Sequence, residues 1–336
     1  MGKIDTEAKA YLSNKERFCD IFNFWIYDGK NIIKPDGLNE LDTTALTIPY
    51  GNKARKHVQK YRDILKLYAA KHDDQAIYLI LGLEIESKIH YAMAVRAMLY
   101  DALSYTEQVE LIAAQRRKDK PKQTYHEFLS GLGKDDRLKP VITIVLNLSG
   151  KYWDGCQSIH DLLAVKDKQI LQFVPNYKLN LLSPDLLDEQ DFDKFRTNLG
   201  AAMQFLKHQH DDNMDWIQNN KRMQAIDRNT ADFIQTTTGT DLHLKDDDEV
   251  INMCRAWENS MKQAEARGEA RGEARGEARG EARGEARGEA RGEAKGEARL
   301  SRLISHLLSL GKTDEILSAT KNAVLRNQLY EKYSIV

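Results

Sequence analysis

Three acidic side chains, Asp63, Glu84 and Glu86, stand in the stretch of this chain whose residue types best suit metal-ion chemistry. The two glutamates interrupt an apolar run that has the alternation of a strand. A carboxylate buried in such a strand is costly unless it binds something positive, and a hard divalent cation is the simplest partner. Acids clustered around Mg²⁺ are a common means of cutting phosphodiesters.

Residues 76–89 alternate with the period-two pattern of a β-strand. One face carries Leu79, Leu81, Leu83, Ile85 and Ile89, and the other carries Ile80, Gly82, Glu84, Glu86 and Lys88. The first face is expected to pack on a core. Two interpretations of the second face stay open. Its charges are solvated on a half-exposed strand, or the like pair of glutamates requires a counterion because the two charges would otherwise repel.

The position of Asp63 is less clear from the pattern. The apolar residues around it have helical spacing, yet residues 62–68 are equally consistent with a short strand. Residues 72–75, His-Asp-Asp-Gln, form a plausible turn into the strand of Glu84. If the two segments form a hairpin, Asp63 lies near Glu84.

The flanking sequence predicts a helix over residues 14–27. Ser13 and Glu16 have the spacing of a capping box and precede an apolar run. We therefore expect Glu16 to cap this helix and Asp20, on the same segment, to be solvated.

A second helix is expected over residues 91–116, with Val95, Leu99 and Leu103 in its apolar stripe. The continuous apolar run at residues 140–148 predicts a buried strand.

Residues 265–299 repeat Glu-Ala-Arg-Gly, with one variant at Lys295. Each glycine costs a helix about 1 kcal/mol relative to alanine, and residues four apart carry like charges. Two alternatives remain: a flexible, charge-balanced tether, or helices that associate between chains. Beyond the repeat, residues 300–310 and 314–333 predict two amphipathic helices that could dock on another subunit.

Composition sets further bounds. The chain has 336 residues and a formal net charge of −1, so DNA contact would have to come from a local basic patch. Its three cysteines are widely separated, which suits a reducing cytoplasm better than a disulfide framework. No apolar run approaches the length of a membrane span, and we expect no signal peptide and no membrane partner.

Several longer words resemble the bacterial Rpn family, the recombination-promoting nucleases that are often labelled PD-(D/E)XK nuclease family transposases. The resemblance covers most of residues 15–210. The words that carry it are 62–66 (RDILK), 80–84 (ILGLE), 88–93 (KIHYAM), 98–103 (MLYDAL), 137–141 (RLKPV), 153–155 (WDG), 158–163 (SIHDLL), 175–180 (PNYKLN) and 195–199 (FRTNL).

The resemblance implies a restriction-endonuclease-like core in which Asp63 and Glu84 bind Mg²⁺ or Mn²⁺. The carbonyl of Ile85 is a further candidate ligand. The third motif position is usually Gln in this family and Lys in the wider superfamily, whereas this chain has Glu86. Either Glu86 acts as a base or extra ligand, or the site is degraded. Lys88 is a hypothetical source of the missing positive charge.

These observations predict an α/β protein with a mixed sheet and a PD-(D/E)XK core at residues 1–165. A helical extension over 166–262, the repeat over 263–299 as a stalk or tether, and a helical pair over 300–336 would follow. The predicted function is a cytoplasmic, metal-dependent DNA endonuclease linked to recombination, mobile elements or defence. It would form homo-oligomers through its C-terminal region. The alternative is a catalytically degraded DNA-binding or assembly protein.

Overall fold

The computed structural model describes residues 3–41, 44–47, 58–61, 63–72, 75–119, 124–211, 215–242, 244 and 248–336. The chain divides into two units, Met1–Ser260 and Met261–Val336. Among the described residues, the first unit combines strands with helices, and the second is helical. The predicted mixture of helices and strands is therefore confirmed.

A five-stranded mixed sheet lies at the centre of the first unit, in the order β1-β4-β5-β6-β7. The pairs β1–β4 and β4–β5 are antiparallel, and the pairs β5–β6 and β6–β7 are parallel. Two short antiparallel pairs, β2–β3 and β8–β9, lie outside it. The described strands are β1 Leu38–Glu40, β2 Thr44–Thr47, β3 Val58–Tyr61, β4 Ile64–His72, β5 Gln75–Glu86, β6 Val141–Asn147, β7 Asn180–Leu182, β8 Ile226–Asp227 and β9 Val250–Ile251.

Helices cover the sheet and make up the C-terminal part of the chain. No described helix combines enough length and apolar character to cross a membrane. The described helices are α1 Lys3–Ser13, α2 Lys15–Tyr27, α3 Met93–Asp119, α4 Tyr125–Ser130, α5 Ile159–Leu162, α6 Lys168–Leu171, α7 Glu189–Phe192, α8 Leu199–His208, α9 Asp215–Asn219, α10 Arg228–Thr238, α11 Met253–Ser309, α12 Thr313–Lys321 and α13 Ala323–Lys332.

The hairpin of β4 and β5 sets the position of Asp63. Its register pairs Ile64 with Leu83 and His72 with Gln75, so the segment after Asp63 is a strand and the helical interpretation is wrong. The predicted turn residues 73–74 lie outside the described residues. Because β4 begins one residue after Asp63, this side chain lies beside the end of β5 that carries Glu84.

Both faces of β5 are covered. Leu81, Leu83 and Ile85 belong to a large core shared with α1, α2, α8 and α10. Residues Met93, Ala97, Val145, Trp153 and Leu181 form a second core between the other face of the sheet and α3. Glu84 is consequently inaccessible to solvent, at 0% exposed. The interpretation of a half-exposed strand with solvated charges is therefore wrong.

Helix α3 packs on the sheet through a stripe that includes Leu103, as predicted, but not the other two predicted residues. Val95 and Leu99 are 46% and 38% exposed. Asp101 fixes the helix to the sheet, because its carboxylate accepts hydrogen bonds from Thr143 Oγ1 at 2.5 Å and Tyr177 Oη at 2.7 Å. The buried residues of α3 are Met93, Ala94, Ala97, Tyr100, Asp101, Leu103, Ser104 and Gln108. Many of these buried residues are small or polar, so hydrophobicity alone identified Leu103 correctly but misplaced Val95 and Leu99.

Helix α2 confirms the helix predicted over residues 14–27, but two details of that prediction are wrong. Its cap is Asn14, whose side chain accepts a hydrogen bond from the backbone N–H of the third helical residue. Ser13 instead ends α1. Asp20 is 2% exposed, not solvated. It accepts hydrogen bonds from the backbone N–H groups of Arg196 and Thr197 and from the Thr197 hydroxyl, and so joins α2 to the segment before α8.

The four-residue repeat lies inside α11, and its side chains are exposed. The helical alternative is thus the one that the structure describes for a single chain. Its association with other chains stays a prediction. An added Cβ at each repeat glycine from Gly268 to Gly296 would meet nothing within 4 Å, so steric fit within this chain does not require glycine there.

Replacing Gly276 and Gly280 with alanine is expected to stabilise this helix by about 1 kcal/mol per position, the propensity difference between the two residues. Hydrogen–deuterium exchange of peptides from residues 265–299 should slow accordingly. Gly239→Ala is the matched control. Its Cβ would also meet open space, but its φ of +71° disfavours alanine, so exchange around α10 should accelerate. Unchanged exchange in the repeat would contradict the helical form.

The C-terminal unit has its own small core of Leu303, Leu307, Ala319, Leu329 and Tyr330. The helix predicted over residues 300–310 is confirmed as the end of α11. The single helix predicted over residues 314–333 is wrong, because the chain forms α12 and α13 on either side of Asn322. The side chain of Asn322 caps α13 by accepting the N–H groups of Val324 and Leu325.

Candidate acidic site

The ends of two paired strands bring Asp63, Glu84 and Glu86 into one region of the first unit. Asp63 precedes β4, and the two glutamates lie at the end of β5. Asp63 Oδ2 accepts a hydrogen bond from the backbone N–H of Ile85 at 2.8 Å. This contact fixes the aspartate between the two glutamates along the chain, beside the strand that carries them.

Arg96 on α3 is the cation of this site. Its Nη2 lies 3.0 Å from Glu84 Oε2, and its Nη1 lies 2.8 Å from Glu86 Oε1. The guanidinium also lies over the ring of Tyr100, 5.7 Å from the centroid. One arginine therefore compensates both glutamates, which supplies the counterion that their burial requires.

Burial dominates the electrostatics of the acids. Burial is the largest cause of a rise in the pKa of Glu86 from its usual 4.5 to about 7; the charges of Asp63 and Asp5 add to this rise, and Arg96 opposes it. Burial also raises the pKa of Asp63, against the Ile85 N–H, Arg96 and Lys9. Asp5 and Lys9 lie on α1, so this helix contributes to the field of the site.

Within the part of the chain that the structure describes, the Glu86 carboxylate lacks a well-directed hydrogen bond at one of its oxygens, although that oxygen lies close to Arg96. The Glu86 side chain is 9% exposed, yet its buried Oε1 has no hydrogen-bond partner of acceptable geometry among the described residues. The 2.8 Å contact is thus an ion pair without a well-directed hydrogen bond. A buried carboxylate oxygen in this condition retains the capacity to accept a donor or a cation.

The other two predicted site residues lie differently. Lys88 lies beyond β5, which ends at Glu86. The alternation of strand side chains therefore does not place Lys88 on the same face as the glutamates, and its side chain is exposed. Within the described residues, no ion pair joins Lys88 to either glutamate, and the role predicted for it is occupied by Arg96. The backbone of Ile85 contacts Asp63 through its N–H, and its carbonyl stays a predicted ligand.

Three carboxylates fit a hard divalent cation in their donor chemistry, since Mg²⁺ and Mn²⁺ prefer oxygen ligands. The positions that the three carboxylates take in the structure do not fit a divalent cation. The glutamates face Arg96, Asp63 faces a backbone amide, and no group of three or more His, Cys, Asp or Glu residues in the described part of the chain is arranged to hold a metal. Metal binding would require Arg96 to release the glutamates.

Comparisons with models of protein families, with curated proteins and with solved structures gave no match to this chain. The geometry of the site and the resemblance noted from its sequence words are therefore what bear on function.

The sequence reasoning missed Arg96 and Asp5. A usable signal existed for Arg96, which follows Met93 by three residues and precedes Tyr100 by four. These spacings place it on the face of α3 that packs on the sheet, opposite the acids of β5. Asp5 gave no comparable signal, because no helix was predicted before residue 14.

Glu86→Gln is expected to raise the free energy of unfolding by about 2 kcal/mol at about pH 8. Because the folded pKa of Glu86 lies above its unfolded value, the folded protein binds more protons between these values. The stability that protonated Glu86 contributes is fully present below the pKa of this residue in the unfolded state, and it is lost as the pH rises through its pKa in the folded state. Glutamine mimics the protonated form and should flatten the profile from about pH 5 to about pH 7.

Urea unfolding followed by tryptophan fluorescence provides the measurement. All four tryptophans, Trp25, Trp153, Trp216 and Trp257, belong to the first unit, so the signal reports the unit that contains Glu86. Asp135→Asn, at an exposed acid, is the control and should leave the profile unchanged. If the stability of Glu86→Gln depends on pH in the same way as that of the wild type, the conclusion that burial of the charged Glu86 carboxylate destabilises the fold is contradicted.

Proposed function

We propose that this chain is a metal-dependent DNA endonuclease that hydrolyses phosphodiester bonds. The observation that carries the proposal is the burial of Glu84 and Glu86 at the end of β5, with Asp63 bound to the intervening backbone amide. Proteins rarely bury several carboxylates together unless the acids have a cationic partner or a chemical task. The resemblance to the Rpn family supports the same activity and links it to recombination, mobile elements or defence.

The residues of this site divide by role in the proposal. Asp63 and Glu84, with the carbonyl of Ile85, would hold Mg²⁺ or Mn²⁺ once Arg96 has left the glutamates. The ion would supply Lewis acidity and a more acidic bound water. Glu86 would position a water molecule or accept its proton.

Arg96 has two uses in the proposal. In this structure it pairs with both glutamates, which offsets part of the cost of burying them. Its side chain is 30% exposed, so a DNA phosphate could approach this side chain and draw it away from the glutamates. Arginine binds phosphate with two parallel hydrogen bonds, and release from the glutamates would make that fork available.

Nicking of supercoiled plasmid tests the proposal. Purified protein is expected to convert supercoiled to open-circular DNA in Mg²⁺ or Mn²⁺ and not in EDTA. DNA binding should weaken steeply as salt rises, because backbone contacts release counterions. Absence of nicking in both metals, with DNA binding retained, would reject the enzyme and favour the second candidate.

The second candidate is a DNA-binding or assembly protein without catalysis. The bridge from Arg96 to both glutamates favours it, because a permanently occupied acid pair is a structural ion pair, not a reaction centre. On this alternative, Arg96 and its glutamates serve stability alone, and the C-terminal region forms homo-oligomers. Sedimentation of the full chain, combined with a negative nicking assay, would support it.

We also propose a cytoplasmic location with DNA as the partner. Cys19, Cys156 and Cys254 are free thiols, which suits a reducing compartment.

A further inference from the structure

A polar cleft of about 400 Å³ lies directly beyond the acidic site. Two of its residues, Ser87 and Lys88, follow Glu86 at the end of β5, and Lys151 and Tyr152 follow the end of β6. These two strands are parallel neighbours, so their carboxyl ends open at the same edge of the sheet. Crevices at this edge are common ligand sites in α/β proteins.

Two tyrosine rings give the cleft its aromatic character. Tyr91 and Tyr152 line it and are 62% and 65% exposed. Tyr91 Oη donates a hydrogen bond to Asp154 Oδ2 at 3.3 Å, which orients the Tyr91 ring. Exposed aromatic faces beside an open space are suited to stacking on a planar ligand.

Two lysines supply positive charge next to these rings. Lys88 and Lys151 are exposed, and neither forms an ion pair within the described part of the chain. Asp154, which also lines the cleft, is engaged by Tyr91. The lining thus combines aromatic faces with a net positive charge, the combination by which proteins bind unpaired nucleic-acid strands.

We propose that this cleft binds an unpaired nucleotide of a DNA strand, with the base stacked on Tyr152 and the phosphate near Lys88 and Lys151. The inference rests on the proposed function for its biological setting, since the adjoining acids would then act on a neighbouring phosphodiester. It adds a substrate preference. Single-stranded or locally melted DNA should bind more tightly than a continuous duplex, in which the bases are not available for stacking.

Fluorescence anisotropy in EDTA tests the stacking without cleavage. The probe is a labelled single strand of about 15 nucleotides, compared with the duplex of the same sequence. Tyr152→Ala is expected to weaken single-strand binding by about 10-fold, within the range of one lost base–aromatic stack, and to leave duplex binding within about 2-fold. Tyr152→Phe keeps the ring and should bind like the wild type.

Tyr125→Ala is the matched control, because Tyr125 is a more exposed ring, at 72%, outside the cleft. It should bind both probes as the wild type does. Lys88→Gln and Lys151→Gln should each reduce the salt dependence of single-strand binding by about 0.7 in the slope of log K against log salt. Equal loss of single-strand and duplex binding in Tyr152→Ala would overturn the proposal, as would unchanged binding.

Two further outcomes separate this inference from the proposed function. Ring-dependent single-strand binding in a protein that never nicks plasmid would support the cleft and reject the nuclease. Metal-dependent nicking by a protein whose Tyr152→Ala variant binds single strands normally would support the nuclease and reject the cleft. Displacement of the single strand by an equimolar free deoxynucleotide would show that the cleft takes mononucleotides and would also overturn the proposal.

Discussion

Asp63→Asn is expected to lower the rate of Mg²⁺-dependent plasmid nicking by at least about 100-fold, because loss of a charged metal ligand removes several kcal/mol of stabilisation and each tenfold corresponds to about 1.4 kcal/mol. Asparagine retains a carbonyl oxygen that can accept the N–H of Ile85, which donates a hydrogen bond to Asp63 among the described residues. The variant should therefore fold normally while losing its charge. Initial rates of open-circle formation provide the measurement.

Glu84→Gln should show a loss of similar size, since Glu84 is the other predicted ligand in the same site. Asp135→Asn is the control, because it makes the same chemical change at an exposed acid far along the chain, and it should nick like the wild type. Nicking by Asp63→Asn at the wild-type rate would remove this aspartate from the reaction and reject the site.

Arg96→Met is expected to lower the free energy of unfolding by about 3 kcal/mol at about pH 8, the cost of leaving a buried charge without its partner. Glu84 is 0% exposed and Glu86 is nearly buried, so water cannot replace the guanidinium easily. Arg96 itself is 30% exposed, which places the expected loss at the lower end of the range for buried pairs. Methionine keeps much of the unbranched stem, so the packing against the sheet is largely retained.

The pH dependence of this loss identifies its cause. Near pH 5, more of Glu86 is protonated, because its folded pKa lies well above its usual value, and the destabilisation should shrink. Adding Glu84→Gln and Glu86→Gln to Arg96→Met should recover most of the lost stability, as neither of the glutamate charges that Arg96 compensates then remains. A loss that is independent of pH and not recovered in this triple variant would indicate that Arg96 acts by packing alone.

Strong local patterns predicted the strands of the site correctly. The apolar run at residues 140–148 became β6, and the alternating segment that ends in Glu84 and Glu86 became β5. Both are predictable because the sheet buries residues 80–86 of β5 and residues 143–147 of β6, which requires mainly apolar side chains in these segments. The position of Asp63 was open because its flanking residues satisfy helical and strand spacing alike, and pairing with β5 decided between them.

The partner of the glutamates depended on tertiary structure. Arg96 meets β5 only because α3 crosses from β5 to the parallel strand β6 and packs back on the sheet. The buried face of α3 was partly misassigned because its residues Ala97, Asp101 and Ser104 are less apolar than the exposed residues Val95 and Leu99. Polar groups that satisfy one another across an interface, as Asp101 does, carry no hydrophobic signal in the sequence.

The role of Asp20 also depends on tertiary structure, because this residue binds backbone N–H groups that are distant along the chain. On the sequence it is an ordinary charge within a helix. In the fold it accepts hydrogen bonds from Arg196 and Thr197, which are distant along the chain, and this satisfies the backbone before α8. Such pairing depends on the meeting of two segments and cannot be read from either one.

Mn²⁺ binding, measured by isothermal titration calorimetry without DNA, tests the central claim that Asp63, Glu84 and Glu86 form a cation site which Arg96 occupies in the absence of metal. The account predicts binding by the wild type and at least about 10-fold tighter binding by Arg96→Met, because the competing guanidinium is gone. Arg96→Met combined with Asp63→Asn should lose that gain. Failure of both the wild type and folded Arg96→Met to bind Mn²⁺ would contradict the account, and the acids would then be no more than the partners of one structural arginine.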